Sequence, residues 1–94
     1  MRTVIPETKF PFGKIVATPT ALAAIPNIDI LQALARHQSG DWGDVCPEDR
    51  AADDQALVDG SRIFSVYHAA DGTKFWIITE WDRSATTILL PEDY

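Results

Sequence analysis

The segment from Ser61 to Asp82 constrains the fold most. "SRIFSVYHA" (61–69) and "KFWIITEWD" (74–82) are rich in β-branched and aromatic residues and flank Ala70-Asp71-Gly72-Thr73. Asp-Gly is the preferred centre of a two-residue type I′ hairpin, in which both central residues take positive φ. Such a turn predicts a register in which Ala70 faces Thr73, Tyr67 faces Trp76, Val66 faces Ile77 and Phe64 faces Thr79. A third strand, Ala85 to Leu90, follows the turn at Arg83-Ser84. One sheet face would then carry Phe64, Val66, Phe75, Ile77, Trp81, Ile88 and Leu90 and form the core. The other would carry Ile63, Tyr67, Trp76, Ile78 and Leu89, interrupted by Ser65, Glu80 and Thr87. Either the N-terminal arm and first strand cover this second face, or it is an association surface centred on Tyr67, Trp76 and Ile78.

Upstream, residues 1–12, with Pro6 and Pro11, read as an extended arm, and Lys14 to Ala17 as a first strand. Thr18-Pro19 supplies a capping hydroxyl and a proline at the first helical position, predicting a short helix that runs to about Ile25 before Pro26. Asn27 can cap a second helix, with Ile30, Leu34 and His37 on one face and Gly40 at its end. Pro47, Glu48 and Asp49 begin a third helix, which Gly60 closes. The expected order is β-α-α-α-β-β-β. The expected fold is an α+β single domain over 1–94, an antiparallel sheet with helices packed on one face.

A length of 94 residues allows burial of roughly two thirds of the unfolded surface. The net charge of −6 argues against direct nucleic-acid binding and against anionic membranes. One cysteine excludes an internal disulfide framework and fits a reducing, cytoplasmic setting. No stretch approaches the length of a membrane-spanning helix, and the first residues do not resemble a signal peptide.

Candidate chemistry is sparse. Gly40 and Gly43 lack the remaining pattern of a phosphate loop. Cys46 with His37 or His68 could form a nucleophile and base, but nothing else supports a thiolate site beside Pro47. His37, Asp41 and Asp44 could converge on a metal; the alternative is a histidine at the core edge near a helix C-terminus. His68 reads as a strand-end packing residue. The expectation is a protein without catalytic residues, cofactor or metal.

The stretch 40–60 is more informative: it holds seven of the chain's fourteen carboxylates, one arginine and no lysine. Asp49 and Asp53 stand four apart, a spacing at which like charges repel on a helix. Asp41, Trp42, Asp44, Glu48, Asp49, Asp53 and Asp54 read as a partner-binding surface, with carboxylates for steering and Trp42 as the anchor. A solvated face that confers only solubility is the alternative.

Residues 34–94 resemble a family of small acidic proteins of bacterial plasmids, phages and other mobile elements, described as plasmid-related. The resemblance rests on His37-Gln38-Ser39-Gly40-Asp41-Trp42-Gly43, Trp76-Ile77-Ile78-Thr79-Glu80, Asp82-Arg83-Ser84 and Leu90-Pro91-Glu92-Asp93-Tyr94. It implies no enzymatic activity. By habitat and charge, such proteins are similar to anti-CRISPR and anti-restriction inhibitors. The expected function is anti-defence: the acidic surface would dock on the basic nucleic-acid groove of a host complex, a type I CRISPR complex first, and block DNA binding. The alternatives are a non-catalytic scaffold or homodimer and, last, a small metal- or cysteine-dependent enzyme.

Overall fold

The computed structural model describes residues 8–94, so the first seven residues of the expected arm lie outside the description. The elements follow the expected order: β1 (Lys14–Ala17), α1 (Pro19–Ala24), α2 (Asn27–Gln38), α3 (Pro47–Asp59), β2 (Ile63–His68), β3 (Lys74–Thr79), β4 (Ala85–Leu89) and a 3₁₀ turn at Pro91–Asp93. Thr18 caps α1 by accepting the Ala21 N–H at 3.2 Å. Pro26, not Asn27, precedes α2, and no side chain caps that helix. The class is α+β.

The sheet order is β1-β4-β3-β2, with β1 parallel to β4 and the remaining pairs antiparallel. The expected all-antiparallel sheet is therefore corrected. Strand patterning encodes which residues face the core, but not which edge a distant strand joins or in which direction. Here β1 lies along the free edge of β4, continued by bonds from Lys14 N to Ser84 O and from Thr18 N to Ile88 O, both 3.0 Å.

The hairpin register also differs, by one residue. Among the described non-glycine residues only Arg83 has positive φ, so Asp71 does not take the conformation a type I′ turn requires. Within this turn the left-handed residue is Gly72, at φ 93°. Ala69 and Thr73 close a three-residue loop, with Ala69 N donating to Thr73 O and Gly72 N to Ala69 O, both at 2.8 Å. This is a type I turn ending in a glycine bulge. Tyr67 consequently faces Phe75, Val66 faces Trp76, Ser65 faces Ile77 and Phe64 faces Ile78. Because side chains alternate, the slip places Tyr67 and Trp76 on opposite faces.

Tyr67, Phe75, Ile77, Ile88 and Leu90 form the face that packs on Ala21 and Ile25 near α1 and on Ile30, Ala33 and Leu34 of α2. Helices do not all lie on that face. α3 runs beside the outer edge of β2, where Ala56 packs with Ile63, Val66, Trp42 and Val45. The described part of the arm, residues 8–12, packs near α2 and not over the second sheet face. Phe10 and Phe12 contact the His37 ring at 5.2 and 6.5 Å between centroids.

His37, fully buried, joins these parts. Thr86 Oγ1 donates to Phe12 O at 2.8 Å and lies 2.8 Å from Thr79 Oγ1, which lies 2.9 Å from His37 Nε2. Each hydroxyl has one proton, so Thr79 donates to Thr86 and accepts from Nε2–H. Nδ1 is then unprotonated and accepts from Ser65 Oγ at 2.5 Å. Every polar atom of the ring is satisfied in the neutral state. His37→Leu would leave Ser65 without an acceptor and Thr79 without a donor in the core. It is expected to cost about 3 kcal/mol in urea unfolding, where a solvated histidine would cost nearly nothing.

Candidate interaction site

The acidic stretch is largely an internal brace. β2 is an edge strand, and its outward backbone groups need partners. The loop before α3 approaches this edge so closely that a Cβ on Gly43 would lie 2.0 Å from Val66 O; its φ of 73° also suits glycine. Val66 N donates to Trp42 O at 3.1 Å, and Asp44 N to Val66 O at 2.8 Å. One step along the edge, Phe64 N donates to Asp53 Oδ1 at 2.9 Å. Asp53 thus supplies from a side chain the acceptor that another strand would have offered.

Trp42 is 1% exposed, which corrects its reading as a partner anchor. Its indole stacks on Phe10 at 6.2 Å, and its Nε1–H donates to Asp54 Oδ1 at 2.9 Å. Asp41 accepts from Arg36 through both carboxylate oxygens, at 2.7 and 3.2 Å, and from Gly43 N. The Arg36 hydrogen bond holds the Asp41 carboxyl below its ordinary value. Asp59 ties Ser61 beyond the end of α3.

Exposed carboxylates remain. Asp44, Glu48 and Asp49 gather at the start of α3, and Asp54 continues along it. Asp44 has a side chain 75% exposed and lies 3.8 Å from His68 Nδ1. The predicted acidic surface is therefore smaller than the sequence reading, with Trp42 and Asp53 withdrawn into the interior.

The expected second interface is also redistributed. Tyr67 is 2% exposed; it donates to Asp41 O at 2.6 Å and lies under the Arg36 guanidinium. Ile78 is buried and Trp76 half-buried, and both border a concave surface. That surface is a cleft of about 320 Å³ between α3 and the second sheet face, lined by Asp49, Ala52, Asp53, Arg62, Phe64, Trp76, Ile78 and Tyr94. Arg62, Phe64 and Tyr94 were not anticipated as site residues. They come from separate segments, and no local spacing relates them to Asp53.

His37 is turned away from the carboxylates with which it was expected to converge, and Cys46 lies at the start of α3. Both His37 nitrogens are engaged by hydroxyls, so the ring does not reach toward Asp41 or Asp44. At Cys46 a bond with the Asp49 N–H lowers the thiol pKa, but the Asp49 and Glu48 side chains push it above its ordinary value, opposite to an activated thiolate. No group of three potential ligands for a metal occurs among the described residues.

Burial strongly shifts three groups: it raises the Tyr67 hydroxyl pKa above its ordinary value, and it moves His37 and Asp53 into ranges that bear on stability. Burial, with a smaller contribution from the Arg83 charge, lowers the His37 pKa from 6.5 to about 3. Burial raises Asp53 from 3.8 to about 7; Asp49 and Asp54 add to the rise, and the Phe64 N–H and Arg50 oppose it. His37 is neutral when folded and protonated when unfolded, so its contribution is full above pH 6.5 and is lost as pH falls toward 3. Asp53 acts oppositely: its contribution is full below pH 3.8 and is lost as pH rises toward 7. Asp53→Asn keeps an acceptor for Phe64 N and removes the second effect. Its stability, measured by urea unfolding, should rise between about pH 4 and 6.5 by at least about 1 kcal/mol more than that of the parent protein.

No known protein family matches the chain, and no curated protein or solved structure shows significant similarity to it.

Proposed function

We propose that this chain is a non-catalytic binding protein that docks the carboxylates around the start of α3 on a basic, nucleic-acid-binding surface of another protein. The observation that carries this reading is the exposure of Asp44, Glu48 and Asp49 at one corner of the molecule, with Asp54 beyond them. Arg50 is the single basic residue between positions 40 and 60, and it donates to Gly43 O at 3.4 Å. Carboxylates fixed on a helix can stand where phosphates bind, steer the encounter, and exclude the nucleic acid from the groove. The target class is a host defence complex, with a type I CRISPR complex as the first candidate. The resemblance of residues 34–94 to small acidic proteins of mobile elements supports that choice.

The test is capture of such a complex by the parent protein and by an Asp44→Lys/Asp49→Lys variant. Both positions are exposed, so the variant should fold, with a cost of about 1–2 kcal/mol from reversing the charge in the first turn of α3. The reading expects affinity to fall at least about tenfold in the variant and to fall steeply with added salt. Equal capture by both proteins would refute it.

Self-association is a second reading, and a different surface favours it from the one expected. Ile15, Leu22 and Leu31 are 51%, 56% and 63% exposed. They line a cavity of about 520 Å³ with Ile30, Leu34 and Ile88, beside the open edge of β1. A dimer through this groove would sediment as such at micromolar concentration, independently of salt, and Leu31→Asp would return it to a monomer.

A further inference from the structure

The cleft between α3 and the second sheet face has a feature that neither docking nor self-association uses. Asp53 lines it and is 2% exposed; one carboxylate oxygen holds Phe64 N, while Oδ2 has no hydrogen-bond partner. A buried carboxylate oxygen without a donor is costly in either protonation state. Three aromatic rings line the same cleft. Trp76 is 5.1 Å from Phe64 at 77° and 5.7 Å from Tyr94 at 69°, so both neighbours are steeply inclined to the indole. Asp49 adds a second, exposed carboxylate from α3. Arg62 is the cleft's one positive charge. Its guanidinium donates to Tyr94 Oη at 2.9 Å and lies 5.9 Å from that ring, on a residue that is itself exposed.

Rings set at steep angles, with a carboxylate in the same cleft, form the environment that stabilises an alkylated ammonium ion. The ring faces attract the cation, its methyl groups replace water against Phe64 and Trp76, and the carboxylate neutralises the charge. We propose that this cleft binds a methylated ammonium group, with Asp53 as counter-ion and Phe64, Trp76 and Tyr94 as its walls. The cleft volume leaves room for the chain carrying that group. This inference goes beyond the docking reading and does not rest on it.

The charged groups around Asp53 give the site a pH signature. Asp49 and Asp54 on α3 favour its protonated form, while Arg50 on α3 and the Phe64 N–H favour the carboxylate. A bound cation favours the carboxylate further, so binding should tighten as pH rises through about 7.

Choline is the probe, titrated into the full chain beside its neutral isostere, in which a tert-butyl group replaces trimethylammonium. Nuclear magnetic resonance reads the Trp76 indole N–H and the Phe64 amide. Choline should shift both signals, and the neutral compound should bind at least about tenfold more weakly. Asp53→Asn should lose about tenfold in choline affinity while retaining the bonded Phe64 amide. If that variant does not fold, Trp76→Leu should show the same loss. A peptide carrying trimethyl-lysine separates the sources: tighter binding than choline assigns a protein side chain, and equal or weaker binding assigns a small amine. Equal affinity for choline and the neutral compound would overturn the proposal. So would shifts confined to residues outside the cleft, or no response to choline and peptide alike.

Discussion

A neutral imidazole in the middle of the protein holds its parts in register. His37 comes from α2, Ser65 from β2, Thr79 from β3 and Thr86 from β4, and the chain of hydrogen bonds ends on the backbone of Phe12. Each hydroxyl has one proton to give, so the direction of every bond follows from the last one. The ring is polar on both sides and packed by Phe10, Phe12 and Trp42 on others. Protonating it would bury a positive charge among aromatic rings and neutral hydroxyls, with no carboxylate bonded to it. That is why burial lowers its basicity so far, and why helix, sheet and arm depend on one another.

The same need to satisfy buried backbone explains half of the acidic stretch. β2 would be an open edge, and an open edge invites unwanted pairing. The Trp42–Asp44 loop and the Asp53 side chain close it. Asp54 then holds the Trp42 indole, and Asp41 holds Arg36 over Tyr67. Carboxylates that look alike in sequence divide into two groups. Some fasten α3 and its approach loop to the sheet, and the others stay in solvent at one corner. Asp44, Glu48 and Asp49, with the outward side of Asp54, are the carboxylates left to meet a partner, which centres any docking surface on the start of α3.

Other ties follow the same pattern of side chains serving distant backbone. Arg83, left-handed at φ 60°, sends its guanidinium to Ser61 O at 2.7 Å and to Ala56 O at 3.0 Å, joining the β3–β4 turn to the end of α3. Asp93 accepts from Thr18 Oγ1 at 2.7 Å, so the last turn of the chain anchors the start of the first helix. That contact also places Tyr94 beside Trp76 and thereby completes the aromatic side of the cleft. A short C-terminal turn thus contributes both to helix capping and to the shape of the candidate binding site.

Local rules carried the element order. Thr18-Pro19, Pro47 and Gly60 mark helix ends through hydroxyl capping, proline's fixed φ and glycine's tolerance of a left-handed residue. The spacing of Ile30, Leu34 and His37 marks the buried face of α2, and alternating apolar residues mark the strands. The site was less legible. Asp53 and Asp54 are adjacent and chemically identical, yet one is buried against Phe64 N and the other faces solvent beside Trp42. Nothing within a few residues distinguishes them, because the distinction comes from a strand ten residues away. The sequence by itself determined which segments are helix or strand, since capping, φ preference and hydrophobic period act within one turn or one pleat. Only the tertiary structure decided that β1 joins β4 in parallel, that the hairpin slips by one residue, and which carboxylates are buried. Those outcomes depend on satisfying backbone groups and filling space between segments far apart in the chain.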